Sequence, residues 1–458
     1  MSVVVLQLGQ GGNQYGLALF NALASSRGSP LPCEFFEESG SRGELPRARA
    51  LLIDMEPKVS SSIAIFPFSC RVILLSLALA NKSIQVVAAV TRKANGGGAW
   101  KYDSRSCFTL DSGSGNNWAA GYCSNGVTCR EPVLEQIRLK VEKCDCFGGF
   151  LGIQSLAGGT GAGFGAYVLE ALKDEYPSAC IFSHSIWPFQ SGEVVVQNYN
   201  VLLTLAKLHE VVDGIITVEN DSLVAACKKT LGIPSPSFVE MNSAGAHALA
   251  SLLLPSFWRP IQASQASTCN SSQLRVRLLS DLAYALCAHP AYRMLTVYST
   301  PQVRVESLDF TTFAWPSQLK QLKRIAYPVE LEQVPGDTRL AKSVQKSVAS
   351  LLALRGPGAG TADVSVMREP SLYPSWCIDP LNVCANDKEM IKDGGLAAGM
   401  MSNCQGAILP ASKALTRAYA MFYSKAYLHQ YFKHGLDASF FEAAFATVED
   451  VCHSYSIL

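Results

Sequence analysis

The segment SLAGGTGAG, at residues 155–163, decides the fold of this chain. An apolar run typical of a β-strand, 149–153, precedes it, and a helical pattern of apolar residues, 164–172, follows it. Glycines at a strand-to-helix turn let a ligand approach the backbone, and they leave N–H groups at the positive end of the helix dipole. A plain connection between packed elements is the alternative. Four glycines, a threonine and no charge in so short a loop favour phosphate binding.

Two common phosphate-binding motifs do not fit this loop. A Walker A loop carries a lysine directly after its glycines, and none follows here. A dinucleotide-binding fingerprint lies in the first strand-to-helix turn of its domain, whereas this loop lies far into the chain. The loop by itself therefore does not define the ligand.

Three other segments indicate the same kind of site. The chain begins with an apolar strand, 3–8, that leads into GQGGNQ at 9–14 and then into a helical pattern. GSGNNW at 113–118 offers a further glycine turn with amide donors. The apolar run LLI at 51–53 is followed by two carboxylates, Asp54 and Glu56, at the end of a predicted strand. Carboxylates beside phosphates usually share a cation, of which Mg²⁺ is the ordinary choice.

Taken in order, GQGGNQ, DMEP, GSGNNWAAG and AGGTGAG resemble the tubulin family. The resemblance covers nearly the whole chain, continuing through NYN at 198–200 and END at 219–221 to KAYLHQY at 425–431. Within the family, the segments DMEPK, WPFQSGEVVVQNYN and SKAYLHQY are most similar to the delta-tubulin branch. The fold that the resemblance implies is α/β: a parallel-sheet GTP-binding domain, an α+β intermediate domain and C-terminal helices.

The resemblance also implies which residues form a GTP site. One wall of the pocket would consist of Gln10, Gly11 and Gln14. The phosphates would lie in the loop formed by Ser155, Ala157, Gly158, Gly159, Thr160, Gly161, Ala162 and Gly163, and the terminal phosphate would lie near Ser114, Gly115 and Asn116. The metal Mg²⁺ would be held through water by Asp54 and Glu56. The guanine edge would be recognised by Asn220 and Asn242, because an amide both donates and accepts, and Phe238 would stack on the base. For either asparagine a helix cap or turn is the alternative role.

Several positions depart from the family pattern. The ribose contacts, typically Asp and Glu, are here Glu193 and Gln197, and Ala162 replaces a serine. In the family, one subunit supplies a carboxylate to the GTP of the next, three residues after the aspartate of an Asp-Leu pair. That pair resembles Asp281 and Leu282, which places Tyr284 at the acidic position. A phenol is protonated at neutral pH and is a poor base for water, so we expect GTP binding without activated hydrolysis.

Composition limits the class of protein. Of the 458 residues, 48% are hydrophobic and 16% are charged, which is typical of a globular chain, and the net charge of +1 gives no indication of nucleic-acid binding. The 15 cysteines are scattered without a CxxC pair, so we interpret them as reduced thiols of a cytosolic protein. The first residues lack the layout of a signal peptide.

Alternating strands, near residues 3, 51, 149, 179 and 214, and helices predict a largely parallel sheet. We divide the chain into a GTP-binding domain, an intermediate α+β domain and a C-terminal helical hairpin with helices at 412–434 and 437–454; the domain bounds are 1–253, 254–405 and 406–458. Residues 60–85 form an atypical insertion that the family lacks. Its apolar stretch is near the length of a membrane span but is interrupted by Pro67 and Arg71. A buried helix or a surface hairpin is the alternative, and we interpret the insertion as a translated intron or gene-model error.

The function that the resemblance implies is that of a GTP-binding cytoskeletal protein in the assembly of the triplet microtubules of centrioles and basal bodies, and in ciliogenesis. GTP would be a structural ligand or a switch. The partners would be other tubulins, microtubules and centriolar proteins, without nucleic acid or membrane, in the cytoplasm, at the centrosome and at the cilium base. A polymerising GTPase is one alternative. A dinucleotide-dependent oxidoreductase is a remote one, because NAD needs no metal carboxylates.

Overall fold

The computed structural model describes residues 1–25, 31–38, 44–55, 99–103, 105–109, 113–258, 278–302, 314–333, 340–387 and 395–458. The insertion at 60–85 and the predicted metal ligand Glu56 lie outside these residues. The interpretation of the insertion therefore stays a prediction.

Within the described residues the strands have the following bounds: β1 (Ser2–Leu8), β2 (Phe36–Glu37), β3 (Arg47–Ala48), β4 (Ala50–Asp54), β5 (Cys107–Thr109), β6 (Phe147–Ser155), β7 (Ile181–Trp187), β8 (Gly214–Glu219), β9 (Phe257–Trp258), β10 (Met294–Thr300), β11 (Val329–Gln333), β12 (Leu340–Val344), β13 (Ser347–Arg355), β14 (Leu381–Asn386) and β15 (Ala397–Cys404).

The helices of the same residues are α1 (Gly9–Ala24), α2 (Val127–Val141), α3 (Gly165–Glu175), α4 (Gln197–Val211), α5 (Asn220–Leu231), α6 (Phe238–Leu253), α7 (Leu278–Leu286), α8 (Trp315–Ala326), α9 (Leu409–Tyr423), α10 (Leu428–Phe432) and α11 (Ala438–Ser456). A π-helical turn precedes α2 at Ala120–Gly126, and another precedes α3 at Thr160–Phe164. No helix in the described part of the chain is long and apolar enough to cross a membrane.

Eleven of these strands form one sheet, in the order β5-β4-β1-β6-β7-β8-β10-β15-β13-β14-β9. Neighbours from β5 to β10 pair in parallel, as predicted for the first half of the chain. Beyond β10 the pairing is mixed, since β15 is antiparallel to both β10 and β13. The sheet is continuous from β8 to β10, and α6 ends where the first predicted domain ends. The domain bounds themselves stay a prediction.

The apolar residues of β1 alternate between two cores, as a strand buried on both faces requires. Val4 and Leu6 contribute to a core beneath α3, α4 and the C-terminal helices. Val3 and Val5 contribute to a core beneath α1, α6 and α7. A third core, around Leu352, lies under α8 in the second half of the chain. The parallel sheet is therefore covered on both faces, and its carboxyl edge stays open for a ligand.

The predicted helix at 412–434 is wrong. Helix α9 ends at Tyr423 and α10 begins at Leu428, and between them Lys425 and Tyr427 have left-handed backbone angles, with φ of +55° and +59°. The N–H groups of residues 425 and 426 close the end of α9 by donating to the carbonyls of residues 422 and 421. The apolar pattern continues across this turn, so the sequence gives no sign of the break. The second predicted helix, 437–454, is present as α11.

Candidate functional site

The glycine turn after β1, at 9–14, touches the glycine-rich loop after β6, at 155–163. Leu8, the last residue of β1, is level with Ile53 in β4 and with Gln154 in β6, so the loops after these strands emerge at one edge. Gly9 has a φ of +70°, and a Cβ atom built on it would lie 2.9 Å from the backbone nitrogen of Gly161. Only glycine permits both the backbone angle and this approach.

The predicted residues of the first turn lie on α1 beside this contact. Gln10 is exposed, and Gly11 and Gln14 are partly buried. A Cβ atom built on Gly11 would lie 3.1 Å from Cβ of Ser155, the residue that ends β6. The wall that the sequence predicts thus borders the loop at 155–163, which we call the phosphate loop.

The GSGNNW segment packs against the same loop. The N–H of Asn117 donates to the carbonyl of Ser114 at 2.9 Å, and φ is +54° at Gly115 and +56° at Asn116. Two central residues with positive φ define a type I′ turn, which favours glycine and asparagine. A Cβ atom on Gly159 of the phosphate loop would lie 2.7 Å from the Asn117 carbonyl oxygen. The 114–117 turn and the phosphate loop are therefore in backbone contact.

Hydroxyl groups meet between these two loops. The Ser114 side chain is buried, and its Oγ accepts a hydrogen bond from Asn125 Nδ2 at 3.1 Å. Thr160 Oγ1 lies 3.4 Å from the same Ser114 oxygen. The 9–14, 113–118 and 155–163 segments contain no lysine, arginine or histidine. A bound anion would therefore be held by backbone N–H groups, hydroxyls and helix N-termini rather than by a side-chain cation.

Asn200 on α4 holds the two loops together, and the sequence did not identify it as a site residue. Its Nδ2 donates to the carbonyl of Asn116 at 2.8 Å and to that of Ala157 at 2.7 Å. Its Oδ1 accepts from the N–H of Trp118 at 3.1 Å and from the hydroxyl of Tyr431 at 2.7 Å. The segment NYN belongs to the family pattern, but no local signal predicts partners so far away in the chain.

Asp54 lies where the sequence predicts a metal ligand. It is the last residue of β4 and is buried, and its Oδ1 accepts a hydrogen bond from the N–H of Met55 at 2.8 Å. The neighbouring Ile53 carbonyl accepts from Asn13 Nδ2 on α1 at 3.4 Å, which ties this strand end to the first glycine turn. A carboxylate at this edge fits water-mediated Mg²⁺ binding, because hard cations prefer oxygen ligands. The metal itself stays a prediction.

The side chain of Gln197, the predicted ribose contact, organises its own loop. Its Oε1 accepts from the N–H groups of Glu193 at 2.9 Å and Val194 at 3.4 Å, and its Nε2 donates to the carbonyl of Phe189 at 3.0 Å. The buried amide thus shapes a cavity of about 430 Å³ lined by residues 190–195, Gln197, Asn198 and Arg417. Glu193 is exposed at this cavity and is available to a ligand.

The three predicted base contacts lie on two helices that pack against each other, Asn220 on α5 and both Phe238 and Asn242 on α6. Asn220 and Asn242 are 6% and 8% exposed, and Phe238, at the start of α6, is 50% exposed with its ring 6.1 Å from that of Phe189. Asn220 begins α5 but does not cap it; its Nδ2 donates to Glu193 Oε1 at 3.3 Å. The structure therefore favours an accessible aromatic face beside amide groups over the alternative role of Asn220 as a helix cap. The assignment of guanine contacts stays a prediction.

Tyr284 lies on a different part of the molecule. It is 86% exposed on α7, whereas Leu282 is buried. Helix α7 packs at the start of β6, where a Cβ atom on Gly149 would lie 3.1 Å from Leu279 Cδ1. Ser155 at the phosphate edge is about 20 Å further along that strand, at ~3.3 Å per residue. Helix α7 therefore lies at the opposite end of β6 from the glycine turns of its own chain.

Comparison with known proteins agrees with this geometry. The model of the tubulin/FtsZ family GTPase domain matches residues 2–228. The chain is 35% identical to the human tubulin delta chain, with 99% of each chain covered, and 34% identical to the mouse tubulin delta chain, with 100% of each covered. It is 24% identical to a tubulin beta chain of Cicer arietinum, over 99% of this chain and 94% of that protein.

The fold and the converging glycine turns define a nucleotide-binding protein of the α/β class. The comparisons make this class specific: the chain belongs to the tubulin family and is a GTP-binding cytoskeletal protein of that family. The predicted α/β fold and the similarity to tubulin delta chains are thereby confirmed.

Proposed function

We propose that this chain acts in the assembly of triplet microtubules at centrioles and basal bodies, and therefore in ciliogenesis. The observation that carries the proposal is its identity of 34–35% with tubulin delta chains over the full length, against 24–27% with tubulin beta chains. Its partners would be other tubulins, microtubules and centriolar proteins, and it would be found in the cytoplasm, at the centriole and at the cilium base.

The role of the nucleotide in this proposal follows from the chain's own residues. Backbone N–H groups of the phosphate loop and of the 114–117 turn bind the phosphates, while Glu193 lies beside the ribose. Asn220 and Asn242 recognise the guanine edge, and the exposed face of Phe238 stacks on it. Mg²⁺, when bound, would neutralise phosphate charge through water held by Asp54 and by Glu56.

GTP in this proposal is a structural ligand or switch that the chain does not turn over efficiently. Tyr284 is an exposed phenol at the position where the family pattern has an acidic residue, and a phenol is a weak base for water at neutral pH. The rival of an actively polymerising GTPase requires another base on this face. The alternative of a dinucleotide-dependent oxidoreductase requires NAD, rather than a guanine nucleotide, to bind beside the side-chain amides of Asn220 and Asn242.

Two experiments test the proposal. A titration of the purified chain with GTP, ATP and NAD should show tight binding of GTP alone; tighter binding of NAD would support the oxidoreductase. Depletion of the protein from ciliated cells should remove the third microtubule of centriolar triplets in electron tomograms, and the wild-type chain should restore it. Normal triplets after complete depletion would refute the proposed role in the cell.

A further inference from the structure

We infer that Asn200 is the positioning residue of the phosphate-facing loops, and that Tyr431 of the C-terminal helices fixes its orientation. The inference rests on the proposed binding of nucleotide phosphates at these loops. It concerns residues that are not expected to touch the nucleotide: both Asn200 and Tyr431 are fully buried. Their effect on binding must therefore pass through the loops that they hold.

The Asn200 amide uses all of its hydrogen-bonding capacity. Both Nδ2 hydrogens go to carbonyls, one in the 114–117 turn and one in the phosphate loop, at 2.8 and 2.7 Å. The two acceptor positions of Oδ1 are taken by the Trp118 N–H and by the Tyr431 hydroxyl, at 3.1 and 2.7 Å. A rotated amide would place its oxygen against two carbonyl oxygens and its NH₂ against the Trp118 N–H. Only one orientation is therefore stable, and it requires both loops in place.

A second contact joins the same turn to the same C-terminal stretch. Asn117 Nδ2 donates to the carbonyl of Gln430 at 3.1 Å, while Asn117 Oδ1 accepts from the N–H of Ala119 at 2.8 Å. Gln430 and Tyr431 are adjacent residues of α10. The helix therefore contacts the 114–117 turn through Gln430 and the Asn200 side chain through Tyr431. The turn between α9 and α10, with left-handed Lys425 and Tyr427, gives α10 this position.

The two loops thus have a common tether outside the nucleotide site. A binding site whose loops are already held in the bound arrangement loses less free energy on ordering when the ligand binds. Removal of the Tyr431 hydroxyl leaves Oδ1 of Asn200 with one partner, so the amide is held less firmly in its orientation. The loops then separate more readily, and the loss falls on phosphate contacts rather than on base and ribose contacts.

The chain offers a matched control. Tyr199 is also fully buried, its ring lies 5.5 Å from that of Tyr431, and both rings pack against Phe441. Its hydroxyl joins α4 to the C-terminal stretch by donating to the carbonyl of Ala426 at 3.2 Å, without contacting Asn200. Each of the two variants, Tyr431→Phe and Tyr199→Phe, therefore removes one hydroxyl between α4 and the C-terminal stretch. Only Tyr431→Phe removes a hydrogen bond to Asn200.

The experiment measures the dissociation constants of GTP and GMP for the full-length chain and both variants, together with their melting temperatures. Tyr431→Phe should weaken GTP binding about fivefold, as expected for one lost hydrogen bond, with a much smaller change for GMP. Tyr199→Phe should lower the melting temperature by a similar amount. It should leave the ratio of the GMP dissociation constant to the GTP dissociation constant at the wild-type value. Asn200→Ala should lower that ratio further, and if it does not fold, Tyr431→Phe decides.

The outcomes separate two kinds of failure. A wild-type chain that binds neither nucleotide refutes the proposed function, and with it this inference. The inference alone is refuted if the wild-type chain binds GTP and the ratio of the GMP and GTP dissociation constants of Tyr431→Phe equals that of wild type or of Tyr199→Phe. Equal weakening of GTP and GMP by Tyr431→Phe would also refute it, because that result indicates a general loss of structure.

Discussion

Asn220 and Glu193 are hydrogen-bonded to each other, with 3.3 Å between Asn220 Nδ2 and Glu193 Oε1. The first is a predicted base contact and the second a predicted ribose contact, so the base and ribose ends of the proposed nucleoside site are in direct contact. Gln197 positions Glu193 by accepting a hydrogen bond from its N–H. The nucleoside half of the site is thus organised by polar side chains, and the phosphate half by glycine backbone.

Gly9→Ala should strongly weaken nucleotide binding. The new methyl group would lie 2.9 Å from the Gly161 nitrogen, at a φ of +70° that costs a non-glycine residue about 1–3 kcal/mol. The first turn and the phosphate loop must then move apart. We expect a loss of GTP affinity of about tenfold or more by titration calorimetry. Gly360→Ala, at a site with open space around the new methyl group, is the control and should bind like wild type.

Asn242→Ala should weaken GTP binding and relax discrimination against ATP. An unpaired base edge costs about 1–3 kcal/mol, or roughly 5- to 150-fold in affinity. Competition titrations with GTP and ATP measure both effects. Asn382→Ala, on β14 in the second half of the sheet, is the control. Unchanged affinity and selectivity of the Asn242 variant would show that another group recognises guanine.

Asp54→Asn should make nucleotide retention less sensitive to Mg²⁺. The new amide oxygen can still accept the hydrogen bond from the Met55 N–H, so the strand end should keep its structure while the anionic partner of the metal's water shell is lost. Nucleotide release after addition of EDTA is measured for the Asp54→Asn variant and for the double variant that also carries Glu56→Gln. Release from the double variant as fast as from wild type would mean that these carboxylates do not hold the metal.

Tyr284→Glu should increase GTP hydrolysis, because it restores a carboxylate on an exposed face of α7. Since α7 lies at the opposite end of β6 from the glycine turns of its own chain, the new carboxylate should act on a neighbour's nucleotide, and the gain should rise steeply with protein concentration. Tyr284→Gln, which is similar in size and neutral, should show no gain. Rapid, concentration-dependent hydrolysis by the wild-type chain would contradict the prediction that Tyr284 disables this step.

Acid should destabilise the fold partly through His184. This ring is fully buried against Tyr15, at 4.5 Å between ring centroids, and burial lowers the pKa of His184 to about 3 from an ordinary value of 6.5. Below pH 6.5 the unfolded chain therefore binds a proton that the folded chain excludes until about pH 3. The contribution to the free energy of unfolding falls by ~1.4 kcal/mol per pH unit within this window.

Denaturation at pH 7 and pH 5 measures this effect. His184→Phe should lose less stability than wild type between the two pH values, whatever its stability at pH 7. Replacement of the exposed His247 by phenylalanine should give a smaller change, since that side chain is less enclosed. A pH dependence of His184→Phe equal to that of wild type would show that other groups carry the acid sensitivity.

The sequence by itself predicted the parallel sheet, the three glycine turns at its edge and the family. Its signals are local: the apolar run of β1, the glycines directly after it, and a glycine-rich turn between β6 and α3 reflect residue preferences over a few positions. Parallel strands then bring their carboxyl ends to one edge, so the meeting of GQGGNQ with AGGTGAG follows from pattern and topology together.

Only the tertiary structure decided how those turns are held. Asn200 reaches Trp118 across 82 positions of the chain and Tyr431 across 231, and Gln197 forms hydrogen bonds within its own loop. The break between α9 and α10 is likewise hidden, because the apolar pattern runs through it. A side-chain amide has the same composition and local context whether it binds a ligand, a loop or a distant hydroxyl. Its partners are set by packing, which a local sequence pattern does not encode.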